Sequence, residues 1–118
     1  MNVLVLIIVM AAHWVFDFCL QTHKMATRKS YDVSVLTQHV SVYTLWSIPL
    51  ALMYKAPLFI GWVFITHWLV DFVTSKITSE LWMRDSYHNF FVVVGLDQLL
   101  HFCSIVAGLW AIGAVFAS

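Results

Sequence analysis

An all-α integral membrane protein, built as a four-helix bundle, is the fold class that this 118-residue sequence predicts. Three observations carry that expectation. Apolar residues make up 62% of the chain and charged residues only 10%, against roughly 25% charged in a soluble domain. Mean hydropathy is +0.87. The apolar residues also gather into four runs near or above the roughly 20 residues that carry a helix across about 30 Å of hydrocarbon. A small chain has proportionally more surface to cover than a large one, and six basic plus six acidic side chains cannot cover it. The same composition excludes disorder, which needs low hydrophobicity and high charge. Zero net charge and the absence of a basic patch exclude a nucleic-acid partner.

The chain reads as one transmembrane domain over residues 1–118, with spans at about 3–20, 35–53, 58–75 and 90–116. The first run is read as a span and not a cleaved leader. No Lys or Arg precedes Lys24, no clear small-residue cleavage site follows, and the run carries His13 and Asp17. Pro49 is placed to kink the second span. Tyr54-Lys55-Ala56-Pro57 forms the turn to the third. The fourth run is long enough to tilt or to extend past the bilayer. Its small residues Ala107, Gly108, Ala111, Gly113, Ala114 and Ala117 allow close helix approach, within the chain or in a homo-oligomer. Cys19 and Cys103 read as free, buried thiols. Trp62, Trp82 and Trp110 read as interfacial anchors, and His23 and His88 as solvated loop residues.

Basic residues set the direction. The loop after the first span holds Lys24, Arg28 and Lys29, and the loop after the third holds Lys76 and Arg84, against Lys55 alone in the opposite turn. The expectation is a multi-pass protein of the inner (cytoplasmic) membrane, with loops 21–34 and 76–89 in the cytoplasm and both termini outside.

Ionisable groups inside spans are costly and mark functional sites by default. The spans hold His13, Asp17, His39, His67, Asp71, Asp97 and His101. Three pairs share one spacing: His13 with Asp17, His67 with Asp71, and Asp97 with His101 in reverse order. Positions i and i+4 share a helix face, so each pair presents an imidazole and a carboxylate in one direction. All seven fall at similar depth and are expected to meet in the cytoplasmic half of the bundle. Residues 13–18 read HWVFDF and residues 67–72 read HWLVDF, a weak internal echo at equivalent ends of the odd-numbered helices. Gln21, four after Asp17, is a further partner or a plain interfacial residue. Tyr43, four after His39, reads as core packing.

A divalent cation such as Zn, Mn or Fe is the cofactor this donor set suggests. Three charged carboxylates at bilayer depth would cost about 7–10 kcal/mol on the insertion scale. Interhelical hydrogen bonds average only about 0.6 kcal/mol each, whereas structural zinc contributes roughly 10–16 kcal/mol in small peptides. Protonated Asp paired with neutral His is the inexpensive alternative, with the cluster acting only as polar glue.

The run AHWVFDFCLQTHKMA at 12–26 resembles the HxxxDFxLQTxxMA opening of a multi-pass membrane family of bacteria and phages, the domain of unknown function 3307. HWLVDFVTSK at 67–76 resembles that family's HxxxDxxK segment, and LDQLLHF at 96–102 its DQxxH segment. His39 stands where the family has a His opening its second helix. The resemblance implies a multi-pass membrane protein with polar signature residues and supplies no activity. It adds Gln21, Lys76 and Gln98 to the seven positions above as residues surrounding the metal ligands. The chain departs from the family in being shorter and more apolar around its spans.

The function expected is that of a small membrane protein with an intramembrane His/Asp metal site; if it is an enzyme, metal-dependent hydrolysis of a lipid-like substrate is the most economical mechanism. The competing reading is non-enzymatic: a metal or proton pathway, or an oligomeric membrane regulator. The lipid bilayer is the expected partner in either case.

Overall fold

The computed structural model describes residues 2–115. Six α-helices and one π-helical turn make up the architecture, and no strand occurs among the described residues. Helix α1 spans Val3–Trp14 and opens where Asn2 Oδ1 accepts the Val5 N–H at 3.2 Å. It runs on into the π-helical turn Val15–Cys19, which closes when the Leu20 N–H donates to the Val15 carbonyl at 2.9 Å. The predicted loop 21–34 contains a short helix, α2 (His23–Arg28), started by Thr22 Oγ1 accepting from the Met25 N–H. Asp32 Oδ1 then caps the Ser34 and Val35 N–H groups and starts α3 (Val33–Thr44). Such caps satisfy N–H groups that a helix start leaves without partners.

The predicted second span is two helices, α3 and α4 (Ser47–Met53), and not one continuous rod. Pro49 has no N–H to return to the Leu45 carbonyl, which accepts the Ile48 N–H at 3.3 Å instead. The ladder passes through tighter bonds at Leu45-Trp46, although both residues keep right-handed helical dihedrals. The helix at the predicted third span is longer than its apolar run. Helix α5 covers Leu58–Met83, because nothing between Ser75 and Met83 breaks a helix and Glu80 pairs with Arg84 at 2.7 Å. The predicted loop 76–89 thus shrinks to the turn before α6 (Tyr87–Ala111). Helix α6 stops short of the expected residue 116, which lies outside the described residues, as does Ala117.

Helices α4, α5 and α6 end alike. A residue at positive φ (Lys55 at 52°, Asp85 at 56°, Gly113 at 79°) reverses the chain. The next N–H then reaches back to the third-last helical residue: Ala56 to Ala51, Ser86 to Leu81, Ala114 to Leu109. This closure satisfies terminal carbonyls.

Helix α5 packs most extensively on α6 and also on α3 and α4. Three layers follow along these helices. An apolar layer holds Val9, Tyr43, Trp46, Phe59, Val63, Ile105 and Leu109. Gly108 belongs to it: a Cβ there would lie 2.7 Å from Trp62 Cδ1, so the small-residue stripe serves contact within the chain at that position. The next layer is polar and buried, with His13, Asp17, His39, His67, Asp71 and His101. Beyond it, between α2 and the α5–α6 pair, lies a cavity.

The outside reverses the usual distribution. Ile7, Leu58, Phe91 and Trp110 are all at least 60% exposed while the imidazoles and carboxylates are inside. Helices α5 and α6 are long and apolar enough to cross a membrane, and the helical run Val3–Cys19 is apolar but shorter. Cys19 and Cys103 are free as expected but exposed, not buried, because each faces outward from its helix.

Candidate metal centre

Helix geometry builds the polar layer directly. His67 and Asp71 occupy one face of α5, and Asp97 and His101 one face of α6. Helix α3 contributes His39, and the N-terminal leg contributes His13 and Asp17. Asp17 lies within the π-helical turn, a deviation often found at functional positions. His39, His67, Asp71 and His101 are each at most 2% exposed.

Four of these side chains aim one atom each at a common point. His39 Nε2 lies 3.1 Å from Asp17 Oδ1, 3.2 Å from His67 Nε2 and 3.4 Å from Asp71 Oδ2. His67 Nε2 is 3.4 Å from both Asp17 Oδ1 and Asp71 Oδ2. A tetrahedral cation holding N and O donors at about 2.0–2.1 Å separates them by about 3.3 Å. Five of the six spacings among these four atoms therefore fall near the edges of such a tetrahedron. The sixth, between the carboxylate oxygens, lies within 4.8 Å.

The other oxygen of Asp71 serves a second group. Asp71 Oδ1 is 3.0 Å from His101 Nε2, which is 3.3 Å from Asp97 Oδ1. Asp71 stands between a four-donor and a three-donor cluster. The Nδ1 atoms of His39, His67 and His101 are buried without a hydrogen-bond partner among the described residues. The Nε2 atoms carry all the polar contacts of these rings, and they face carboxylate oxygens and one another. A cation that accepts several such donors at once fits this arrangement, since nitrogen and oxygen donors suit Zn, Mn or Fe.

Residues around the donors hold them in place. Gln98 donates its amide to Asp97 Oδ2 at 3.0 Å and to Asp17 Oδ2 at 3.4 Å. Its Oε1 accepts from His13 Nε2 at 2.9 Å, and the Tyr43 hydroxyl meets His13 Nδ1 at 2.8 Å. An amide oxygen only accepts, so His13 Nε2 carries the proton and a neutral ring takes the Tyr43 proton at Nδ1. The Tyr43 ring stacks on His67 at 3.7 Å between centroids, and His67 stacks on His101 at 4.1 Å. The Thr74 hydroxyl donates to Asp97 Oδ1, and Lys29 Nζ lies 3.0 Å from Asp71 Oδ2.

All seven expected residues thus come together. Six supply atoms to the two clusters, and His13 sits at their edge, 3.9 Å from Asp17. Gln98 is where the sequence puts it. Gln21 lines the cavity, with Oε1 buried and unpartnered among the described residues. Lys76 is not part of the group: it is exposed and places Nζ over the Phe72 ring at 3.7 Å. Tyr43 is more than core packing, through its hydroxyl on His13. Lys29 and Thr74 are additions. Thr74 follows Asp71 by three and shares its face, a spacing visible in the sequence. Lys29 comes from a loop, where periodicity carries no signal.

The cavity has a volume of about 480 Å³, with Asp17, Asp71 and Asp97 at its inner end. Thr74, Ser75, Thr78 and Ser79 line one wall from a single face of α5, and Trp82, Met83 and Phe90 stand at its outer end.

Among curated proteins and among solved structures, none matches the chain. The family comparison does match, over residues 5–118, with a family described as a protein of unknown function, DUF3307. That span includes every residue of the His/Asp layer, and the chain belongs to the DUF3307 family.

Proposed function

We propose that this protein is a four-helix integral membrane metalloprotein that uses its buried His/Asp layer for metal-assisted hydrolysis of a lipid-like substrate. One observation carries the reading: four donor atoms from two helices and a π-helical turn converge at tetrahedral spacings inside a chain whose outside is apolar. Carboxylates so placed need compensating positive charge, and Lys29 alone contacts only one of them. A divalent cation supplies that charge, activates water near neutral pH and polarises a substrate oxygen. The chain's own residues orient the donors: Gln98 ties Asp17 to Asp97, and Tyr43 fixes the His13 ring that Gln98 in turn holds. His13 acts here by positioning.

Four apolar legs cross the bilayer in this reading: α1 with its π-helical turn, α3 with α4, α5, and α6. The exposed Leu, Ile, Phe and Trp side chains form the lipid-facing surface. The loops that carry most of the Lys and Arg face the cytoplasm of the inner membrane. The cavity opens at that end, beside Lys29 and Trp82.

The test is metal content. Wild-type protein purified in mild detergent without chelator is expected to carry bound divalent metal, and His67→Ala to lose it. A folded wild-type preparation free of metal sinks the reading.

A further inference from the structure

We infer that the three-donor cluster of Asp71 Oδ1, Asp97 Oδ1 and His101 Nε2 is the reactive half of a two-cation centre, and that the cavity above it takes a phosphoryl group. The inference rests on the metal reading just proposed and deepens it.

The two clusters differ in completeness. Four protein donors close a tetrahedral cation, whereas three leave a position for water or substrate. Asp71 contributes a different oxygen to each cluster, as a bridging carboxylate does. Both clusters reach the cavity through carboxylates, Asp17 and Asp71 from the four-donor one and Asp71 and Asp97 from the three-donor one, and the three-donor one alone has a position left for a ligand from it.

Charge then selects the ligand. Three carboxylates and the Lys29 ammonium sum to a double negative charge, and two divalent cations turn that into a double positive one. Such a surplus in a mostly buried layer calls for a dianion, and a phosphate monoester is one. A neutral ester would leave the surplus uncompensated.

The walls agree independently. Ser75 lines the cavity one helical turn from Asp71 and is more than nine-tenths buried, and its Oγ, covered in this structure, has no hydrogen-bond partner among the described residues. Thr78 and Ser79 continue the same face outward. Phosphoryl oxygens only accept; Ser79 has a hydroxyl to donate, and Ser75 has one without a present partner that a side-chain rotation turns to the cavity, while the Thr78 hydroxyl donates to the Ser75 carbonyl. Lys29 now covers Asp71 Oδ2. A cation on that oxygen releases the ammonium towards the cavity it already lines, where a phosphoryl oxygen is its partner. About 480 Å³ is more than phosphate alone fills, and Trp82, Met83 and Phe90 give the carrier an apolar place.

The experiment uses the full chain in detergent, loaded with Mn²⁺, with inorganic phosphate and short-chain phosphatidic acid as separate probes read by ³¹P relaxation. Two Mn²⁺ per wild-type chain and strong paramagnetic relaxation of the phosphorus are expected. Asp97→Asn should keep one Mn²⁺, which reports an intact fold, and lose the relaxation. Lys29→Met should keep both ions and bind phosphate about 10-fold more weakly, as loss of one charge-assisted hydrogen bond implies. Tighter binding of either probe supports the shared phosphoryl chemistry and identifies its carrier. A metal-free wild type overturns the metal reading itself. One Mn²⁺ per chain leaves that reading standing and overturns this one, as do two ions without phosphorus relaxation or equal displacement by acetate.

Discussion

Replacing Asp71 by Asn separates a metal centre from a polar cluster that only glues helices. Asp71 contacts His39, His67, His101 and Lys29 between 3.0 and 3.4 Å. Asn keeps the shape but removes the charge and turns an NH2 group towards imidazole nitrogens. Two losses follow. One is independent of metal: the partly buried Lys29 ammonium loses its carboxylate, at about 1.5–3 kcal/mol. The other needs metal. A ligand present at a hundredfold its Kd stabilises the folded chain by about 2.7 kcal/mol, and a variant that no longer binds forfeits that amount. Unfolding free energies of wild type and Asp71→Asn, each with metal and with chelator, form a cycle. The metal-independent loss cancels in it, so the difference between the two mutational effects is expected to be about 2.7 kcal/mol. A mutational effect of the same size with metal and with chelator refutes the metal reasoning and leaves Asp71 as interhelical glue.

Three further outcomes are expected. Gln98→Ala removes the amide that holds Asp17 and Asp97 but no donor atom, so titration should show metal affinity falling by about 10- to 100-fold without abolition, and Tyr43→Phe, which acts on the same amide only through His13, should show a smaller fall. Metal binding displaces protons from its ligands, so affinity should fall as pH is lowered and recover on return to neutrality, read by equilibrium dialysis. Gly108→Ala forces a Cβ to within 2.7 Å of Trp62 Cδ1, and overpacking of this kind costs about 1–3 kcal/mol, measurable by unfolding in detergent.

The sequence is most informative where periodicity and rarity coincide. His67 with Asp71 and Asp97 with His101 are legible because ionisable residues are scarce in the apolar runs and repeat at one helical spacing, and α5 and α6 are regular through both pairs. The helix ends are less legible. The polar stretch from Lys76 to Met83 looks like a loop beside an apolar run, yet its residues are good helix formers and α5 continues through them. Hydropathy finds where apolar surface is needed, not where backbone hydrogen bonds stop. The break in the helical ladder at Leu45-Trp46 is foreshadowed by Pro49, but which carbonyls the chain re-pairs is not. Lys29 shows the remaining gap. Its contact spans 42 positions and depends on how α2 folds back, which no local pattern encodes.

The π-helical turn at Val15–Cys19 sets the phase of the N-terminal leg. A wide turn accommodates one residue more than an α-helical turn would, between the segment that holds His13 and the segment that leads to Leu20. Tightening it to an ordinary α-helix at unchanged length would rotate everything upstream by about 100°, carrying His13 away from Gln98 and Tyr43 and Val9 out of the apolar layer. Deleting one residue within the turn would restore an α-helix and keep that phase, whereas the same deletion in the regular helix before it would lose it. The less regular backbone is therefore what holds the protein's first helix in register with the rest of the molecule.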